Sequence, residues 1–279
     1  MKMILRCLIL ALLFHTIGVH AQRKPRIKGN RTVTAEVKTL PSFSGIEIKD
    51  DLDVVIRRGT VESYTVTADE NLIDILKFEV EDNTLVISSF YQITAKKELS
   101  ITISYTQLNS VVLNDGSLST AEGEKINSEQ LDINTLGVSR ISLDADVGEL
   151  NINMQDNSKG NFTFTADSLS VKLRQKANAQ IYVNSFSNTA DVTENAVLQI
   201  EGTANTLDLI LDGNARLRAE DLEIGELSAS LSGSADARLF VMEKLQLNLS
   251  GTSRCYLYGE PVISLNAFKD NAEFFKRNK

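Results

Sequence analysis

Leucine recurs at Leu131, Leu150, Leu169, Leu207, Leu227 and Leu245, and Asn188 holds the one slot of this ladder that lacks it. Successive slots lie 19, 19, 19, 19, 20 and 18 residues apart. A spacing so regular means stacked copies of one structural unit, and it constrains the fold more than any single motif. Each slot opens a run of strict alternation, such as Leu150-Asn151-Ile152-Asn153-Met154 or Leu245-Gln246-Leu247-Asn248-Leu249, the two-residue period of a strand with one apolar face.

Polar turns follow these runs, among them Asp156-Asn157-Ser158, Asp212-Gly213-Asn214, Ser232-Gly233-Ser234 and Ser250-Gly251-Thr252. A second alternating strand then closes the unit, as in Phe162-Thr163-Phe164 and Ile181-Tyr182-Val183. Strand, turn, strand and connection in about 19 residues is too short for a βαβ unit of roughly 30 residues or for a propeller blade of roughly 40. The pattern predicts an all-β parallel β-helix, or β-solenoid, in which equivalent strands stack at about 4.8 Å per rung. Seven such rungs make a rod of about 34 Å. The alternative is an antiparallel meander, which leaves a wide face uncovered.

Residues 1–21 read as a secretory signal peptide: a basic start at Lys2 and Arg6, an apolar Cys7–Phe14, and Ala21 before the cleavage point. Cleavage there removes His15 and His20, the protein's two histidines, and leaves Cys255 as the one cysteine. An intrachain disulfide is then excluded. Losing Lys2 and Arg6 moves the formal charge from −8 to −10, a poor balance for nucleic acid or anionic lipid. No later stretch is apolar enough to cross a membrane. Residues 22–41, with the basic run Arg23 to Arg31, are expected as a flexible leader, with a local contact to anionic envelope lipid as the sharper alternative.

Residues 42–107 are strand-rich without the 19-residue beat, and are expected as a lead-in module that caps one end of the coil. Asp82-Asn83 predicts a hairpin between Phe78-Val80 and Leu85-Ile87, and Glu70 to Leu76 a short helical stretch with Asp69 as N-cap. Residues 108–265 carry the regular repeats, with 108–126 as the transition. Gly259-Glu260-Pro261 interrupts the pattern, and residues 266–279, with Phe268, Phe274 and Phe275, are expected to fold over the last rung as a second cap.

Particular segments here resemble a known family. These are Phe43-Ser44-Gly45-Ile46-Glu47-Ile48, Asp53 to Gly59, Val66 to Ile73 and Asn83-Thr84-Leu85-Val86-Ile87, with the later Leu231-Ser232-Gly233-Ser234 and Leu249-Ser250-Gly251-Thr252. They are similar to the putative auto-transporter adhesin, head GIN domain family of exported Bacteroidota proteins, over residues 42–265. The chain departs from it in lacking glycine at Gln175-Lys176-Ala177 and Thr193-Glu194-Asn195. The resemblance implies a β-helical exported protein and an adhesive role, and brings no catalytic residues with it.

The missing histidines exclude Ser-His-Asp and Cys-His nucleophile systems and histidine-built zinc sites. The carboxylate pairs Asp144/Asp146 and Glu220/Asp221 are open to glycoside chemistry, but their alternation with apolar residues reads as a solvated strand face. The Asp/Asn turns at Asn114-Asp115, Asp156-Asn157 and Asp212-Gly213-Asn214 read as turn chemistry rather than calcium loops. No catalytic, cofactor or metal residues are therefore assigned, and the outward positions are expected to be mostly small and uncharged. The expected function is a non-catalytic binding or adhesion module in the periplasm, on the cell surface or secreted, facing a glycan or an extracellular or envelope protein. Two alternatives stand beside it: a carbohydrate-active β-helix enzyme using carboxylates, and a scaffold of an envelope complex.

Overall fold

The computed structural model describes residues 24–278. The signal peptide expected at residues 1–21 lies outside them. The first half contains β1 (Arg26–Lys28), β2 (Val33–Thr39), β3 (Gly45–Lys49), β4 (Asp53–Arg58), β5 (Ser63–Asp69), the short helix α1 (Glu70–Ile73), β6 (Leu76–Glu81), β7 (Thr84–Ser89), β8 (Gln92–Ala95) and β9 (Leu99–Tyr105). It is followed by β10 (Ser110–Asn114), β11 (Ser117–Thr120), β12 (Ile126–Leu136), β13 (Arg140–Met154), β14 (Lys159–Leu173), β15 (Asn178–Val192) and β16 (Val197–Leu211). The coil continues through β17 (Arg216–Leu231), β18 (Asp236–Leu249), β19 (Arg254–Tyr258), β20 (Val262–Phe268) and β21 (Glu273–Lys276).

The result is a parallel β-solenoid of about nine turns. The leucine slots pair rung to rung in register: Leu131 with Leu150, Leu150 with Leu169, Leu169 with Asn188, Asn188 with Leu207, Leu207 with Leu227 and Leu227 with Leu245. All of them are buried, and one continuous core runs the length of the coil.

The unit differs from the expected strand, turn, strand and connection. The closing strand of one copy and the opening strand of the next are continuous, as in β13, so no loop joins them. The chain instead bends at a corner. Val147 and Leu150 are both buried although three residues apart, a shift of phase that alternation alone forbids. Gly148, Asp167, Phe186 and Asn205 sit at this corner and are skipped by the ladder pairing. The steps of 20 and 18 also have a local cause. Between the pairs Gln199–Arg218 and Gly202–Leu222, β17 carries one residue more than β16, a bulge at Glu220–Asp221. β18 then goes directly from Leu239 to Phe240 where β17 goes from Ala219 to Glu223, and regains one residue between Val241 and Lys244, so the next step shortens to 18.

The other corner is a four-residue turn repeated on each rung from β12 onward. Its second residue is left-handed throughout: Gly137, Asp156, Gln175, Glu194, Gly213, Gly233, Gly251 and Asp270. Two residues on, Ser139, Ser158, Ala177, Ala196, Ala215, Ala235 and Ser253 are fully buried, with Ala272 nearly so. Only a small side chain fits inside so tight a bend. The turn backbones also bond to one another: the Lys176 N–H donates to the Asp156 carbonyl, Asn195 to Gln175, Asn214 to Glu194 and Ser234 to Gly213.

The first half departs from the sequence reading. β3 and β4 form a coil layer lying between the layer of β10 and β11 and that of β7 and β9, so the first two layers are threaded out of chain order. The cap proper is antiparallel: β6 on β7, β5 on β9 and β2 on β5. The β6–β7 hairpin turns at Asp82 and Asn83, both with positive φ, as expected of a primed turn. Segment 108–126 holds a regular layer rather than a transition. Within residues 22–41, β1 pairs with β8 and β2 joins the main sheet, so the described part of the supposed leader is built into the fold. Asp69 precedes α1 without a side-chain cap; its carboxylate accepts the Lys97 N–H at 2.9 Å. The tail does not fold over the coil: β20 pairs in parallel with β18 and β21 with β19, making one more rung.

Candidate functional site

The two broad faces of the coil carry different chemistry. Beside the leucine ladder many outward residues are short, among them Ser168, Ser170, Thr189, Ser228, Ser230 and Asn248. Charged residues such as Glu149, Lys172, Asp208, Glu226 and Lys244 stand among them, so the expectation of small uncharged positions holds only in part on this face. On the face that follows the turn, the expectation fails. There one outward column runs Ser142, Asn161, Gln180, Gln199, Arg218, Arg238, Tyr256 and Phe275, paired in register from rung to rung. Beside it run Asp144, Thr163, Tyr182 and Glu201.

This face is sculpted. One hollow of about 240 Å³ is lined by Ser142, Asp144, Asn161, Gln180, Tyr182 and Glu201 among others. A second of about 270 Å³ holds Arg218, Glu220, Asp221 and Arg238. The two share Gln199 and Glu201 and so run together across the rungs. Tyr182 is half exposed in the middle. At the far end Tyr256 and Phe275 stack with centroids 5.0 Å apart, and the Arg277 guanidinium lies over both rings at 5.5 and 5.3 Å.

The pairs singled out in the sequence lie on this same face. Asp144 lines the first hollow, while Asp146 is bound by Lys125 at 3.2 Å. Glu220 and Asp221 occupy the bulge, with Arg238 3.5 Å from Glu220. Gln199 Nε2 donates to Glu201 at 2.8 Å. The bulge keeps both adjacent carboxylates off the inward column, with Asp221 exposed and Glu220 partly buried against Arg238. The strand pairing leaves Asp144 three rungs from Glu201, so the sequence pairs are not assembled into one carboxylate cluster.

The Asp turns are occupied by the fold itself. Asp115 accepts the Val138 N–H at 2.7 Å, Asp156 accepts the Gly137 N–H at 2.9 Å, and Asp212 accepts the Ser232 hydroxyl at 2.5 Å. Cys255 is fully buried, and burial, with Asp236 nearby, pushes its thiol up to about 12. A larger hollow of about 500 Å³ opens between Lys24, Asp50, Asp51, Tyr91 and Asp115. Its central charge is already spent: Lys24 lies 2.5 Å from Asp50 and donates to the Ser89 carbonyl at 2.7 Å.

The family model described as "Putative auto-transporter adhesin, head GIN domain" matches residues 42–261. The chain belongs to this family. Solved structures share its fold at low identity. A "putative adhesin" from Parabacteroides merdae is 14% identical with a TM-score of 0.70, covering 91% of this chain and 99% of that one. A second from Parabacteroides distasonis is 15% identical with a TM-score of 0.69, over 90% and 99%. A "putative lipid binding protein" from the same species is 19% identical with a TM-score of 0.63, over 91% and 98%. At such identities the likeness is one of fold. No curated protein matches the chain.

The outward column was missed in the sequence although it keeps the ladder's beat. Asn161, Gln180, Gln199 and Arg218 follow one another at 19-residue steps, and the signal was hidden because polar side chains vary where leucine repeats.

Proposed function

We propose that this head GIN domain is an exported, non-catalytic binding module, and that it holds an extended glycan along the face of Asn161, Gln180, Gln199, Arg218, Arg238, Tyr256 and Phe275. The observation that carries the reading is the joined pair of hollows across these rungs, with Tyr182 exposed beside them. From Ser142 to Phe275 the column spans seven rung steps, about 34 Å, a length suited to a chain rather than a small molecule. Amide side chains offer both donors and acceptors to hydroxyls. The Tyr256–Phe275 stack offers an apolar face of the kind a sugar ring covers. A glycan and matrix-protein array tests it: binding to an extended glycan that falls in Tyr182→Ala and Gln180→Ala supports the reading. Silence on every glycan with clear binding to one protein would replace the glycan by a protein ligand.

A carbohydrate-active enzyme is the second reading, favoured by Glu201, Glu220 and Asp221 around one hollow. Two carboxyls about 5–9.5 Å apart suffice for glycoside hydrolysis. Release of reducing ends from a polysaccharide panel, lost in Glu201→Gln, would establish it in place of the binding reading.

A further inference from the structure

The two ends of the coil are finished differently. At the first end the parallel sheets are closed by antiparallel strands, β6 on β7 and β5 on β9, with β2 outside β5. The outermost of these carry charge: Glu36 and Lys38 on β2, and Lys77, Glu79 and Glu81 on β6. Charge on an edge strand discourages pairing with another chain. At the other end β20 reads Val-Ile-Ser-Leu-Asn-Ala-Phe, seven residues without a charge. Its Ile263 and Leu265 continue the buried columns of Leu245 and Leu247, yet they are 41% and 46% exposed, with Val262 at 76% and Phe268 at 51%. Among the described residues β20 pairs with β18 and β21 with β19, and no strand pairs with their outer edges.

We propose that this end docks on the same end of a second copy, β20 laid antiparallel on β20 and β21 on β21 about a twofold axis normal to the sheets. The second copy would then supply at this end what β5 and β6 supply at the other: antiparallel strands that close a parallel stack. A twofold keeps inward residues inward, so Ile263, Leu265 and Phe274 of the two copies share one core. In the register that sets Phe275 against its own copy, Glu273 faces the partner's Arg277, and both lie on the outward side with Phe275. Uncharged β20 accepts the register that β21 sets. Lys276 falls on the inward column, paired with Leu257, but reaches back to Glu260 at 2.9 Å and to the Gly259 carbonyl. Its charge is thus turned aside to the corner. The charged first end cannot accept this edge, so the contact is isologous and closes as a dimer instead of growing a filament.

Sedimentation equilibrium on the purified protein tests the proposal. The expected result is a dimer mass that Leu265→Lys converts to monomer, at least a tenfold weakening, with the circular dichroism melt retained. Glu273→Arg should also weaken association, and the swap Glu273→Arg/Arg277→Glu should restore it. Because Glu273 is exposed, this series decides the matter if Leu265→Lys fails to fold. A monomer at every soluble concentration would overturn the proposal. So would a dimer unmoved by Leu265→Lys or by the Glu273 series.

Discussion

The side-chain amide of Asn188 donates to the backbone carbonyl of Thr206, one rung on, at 2.9 Å. On its other side it accepts the Ser185 hydroxyl at 2.5 Å, so the one polar residue in the leucine ladder is buried and held from both ends. Asn188→Ala removes both contacts and strands the Ser185 hydroxyl, and is expected to cost about 1–3 kcal/mol in urea unfolding. Ser185→Ala/Asn188→Leu, which replaces both groups by apolar ones, should recover most of that loss.

The left-handed turn column makes a second prediction. Glu194 adopts φ of 64° with a Cβ, at a cost of about 1 kcal/mol. Glu194→Gly should therefore raise stability by up to that amount. Gln175→Gly should gain less, because Gln175 also accepts the Asp156 N–H at 2.7 Å. Gly251→Ala should destabilise, since its new Cβ would lie 2.5 Å from the Gly233 carbonyl oxygen. Thermal melts of the three variants check the order.

The buried small-residue column separates two serines. Ser158 donates its hydroxyl to the Gln155 carbonyl at 2.7 Å, and Ser158→Ala should cost about 1 kcal/mol. Ser253 is equally buried, with no partner for its hydroxyl. Ser253→Ala should stabilise by about 1 kcal/mol, as judged by chemical denaturation.

Stability should fall in alkali. Burial raises the Cys255 thiol to about 12 and, with Glu124 nearby, the Tyr105 phenol to about 12. Both groups ionise at lower pH when unfolded, near 8.5 for cysteine and about 10 for tyrosine. Between those values and about 12 the unfolded chain binds fewer protons than the folded one, so stability decreases as pH rises. Cys255→Ala should flatten the onset between about pH 9 and 10 in melts taken across that range.

The stacking direction and the register of Leu131 to Leu245 were legible because identical side chains recur where the core demands them. The corner at Gly148 was not, because a phase shift inside a continuous strand leaves no turn residues behind. Nor was the threading of β3 between β7 and β10. Pairing of short strands with no common beat is decided by contacts far apart in sequence. The turns at Gln175 and Glu194 were legible from the period although they lack glycine, and neighbouring rungs hold their backbone left-handed where local preference would not. The outward column followed the same period as the core, but solvent-facing positions keep the spacing without keeping the residue.

The central claim is that the face from Asn161 to Phe275 binds an extended glycan. The direct measurement is calorimetric titration of an array-selected glycan into the protein, Tyr182→Ala, and Ile210→Ala, which alters an exposed residue of the opposite face. Affinity should fall at least tenfold in Tyr182→Ala and stay unchanged in Ile210→Ala. Equal affinity in all three, or a loss confined to Ile210→Ala, would contradict it.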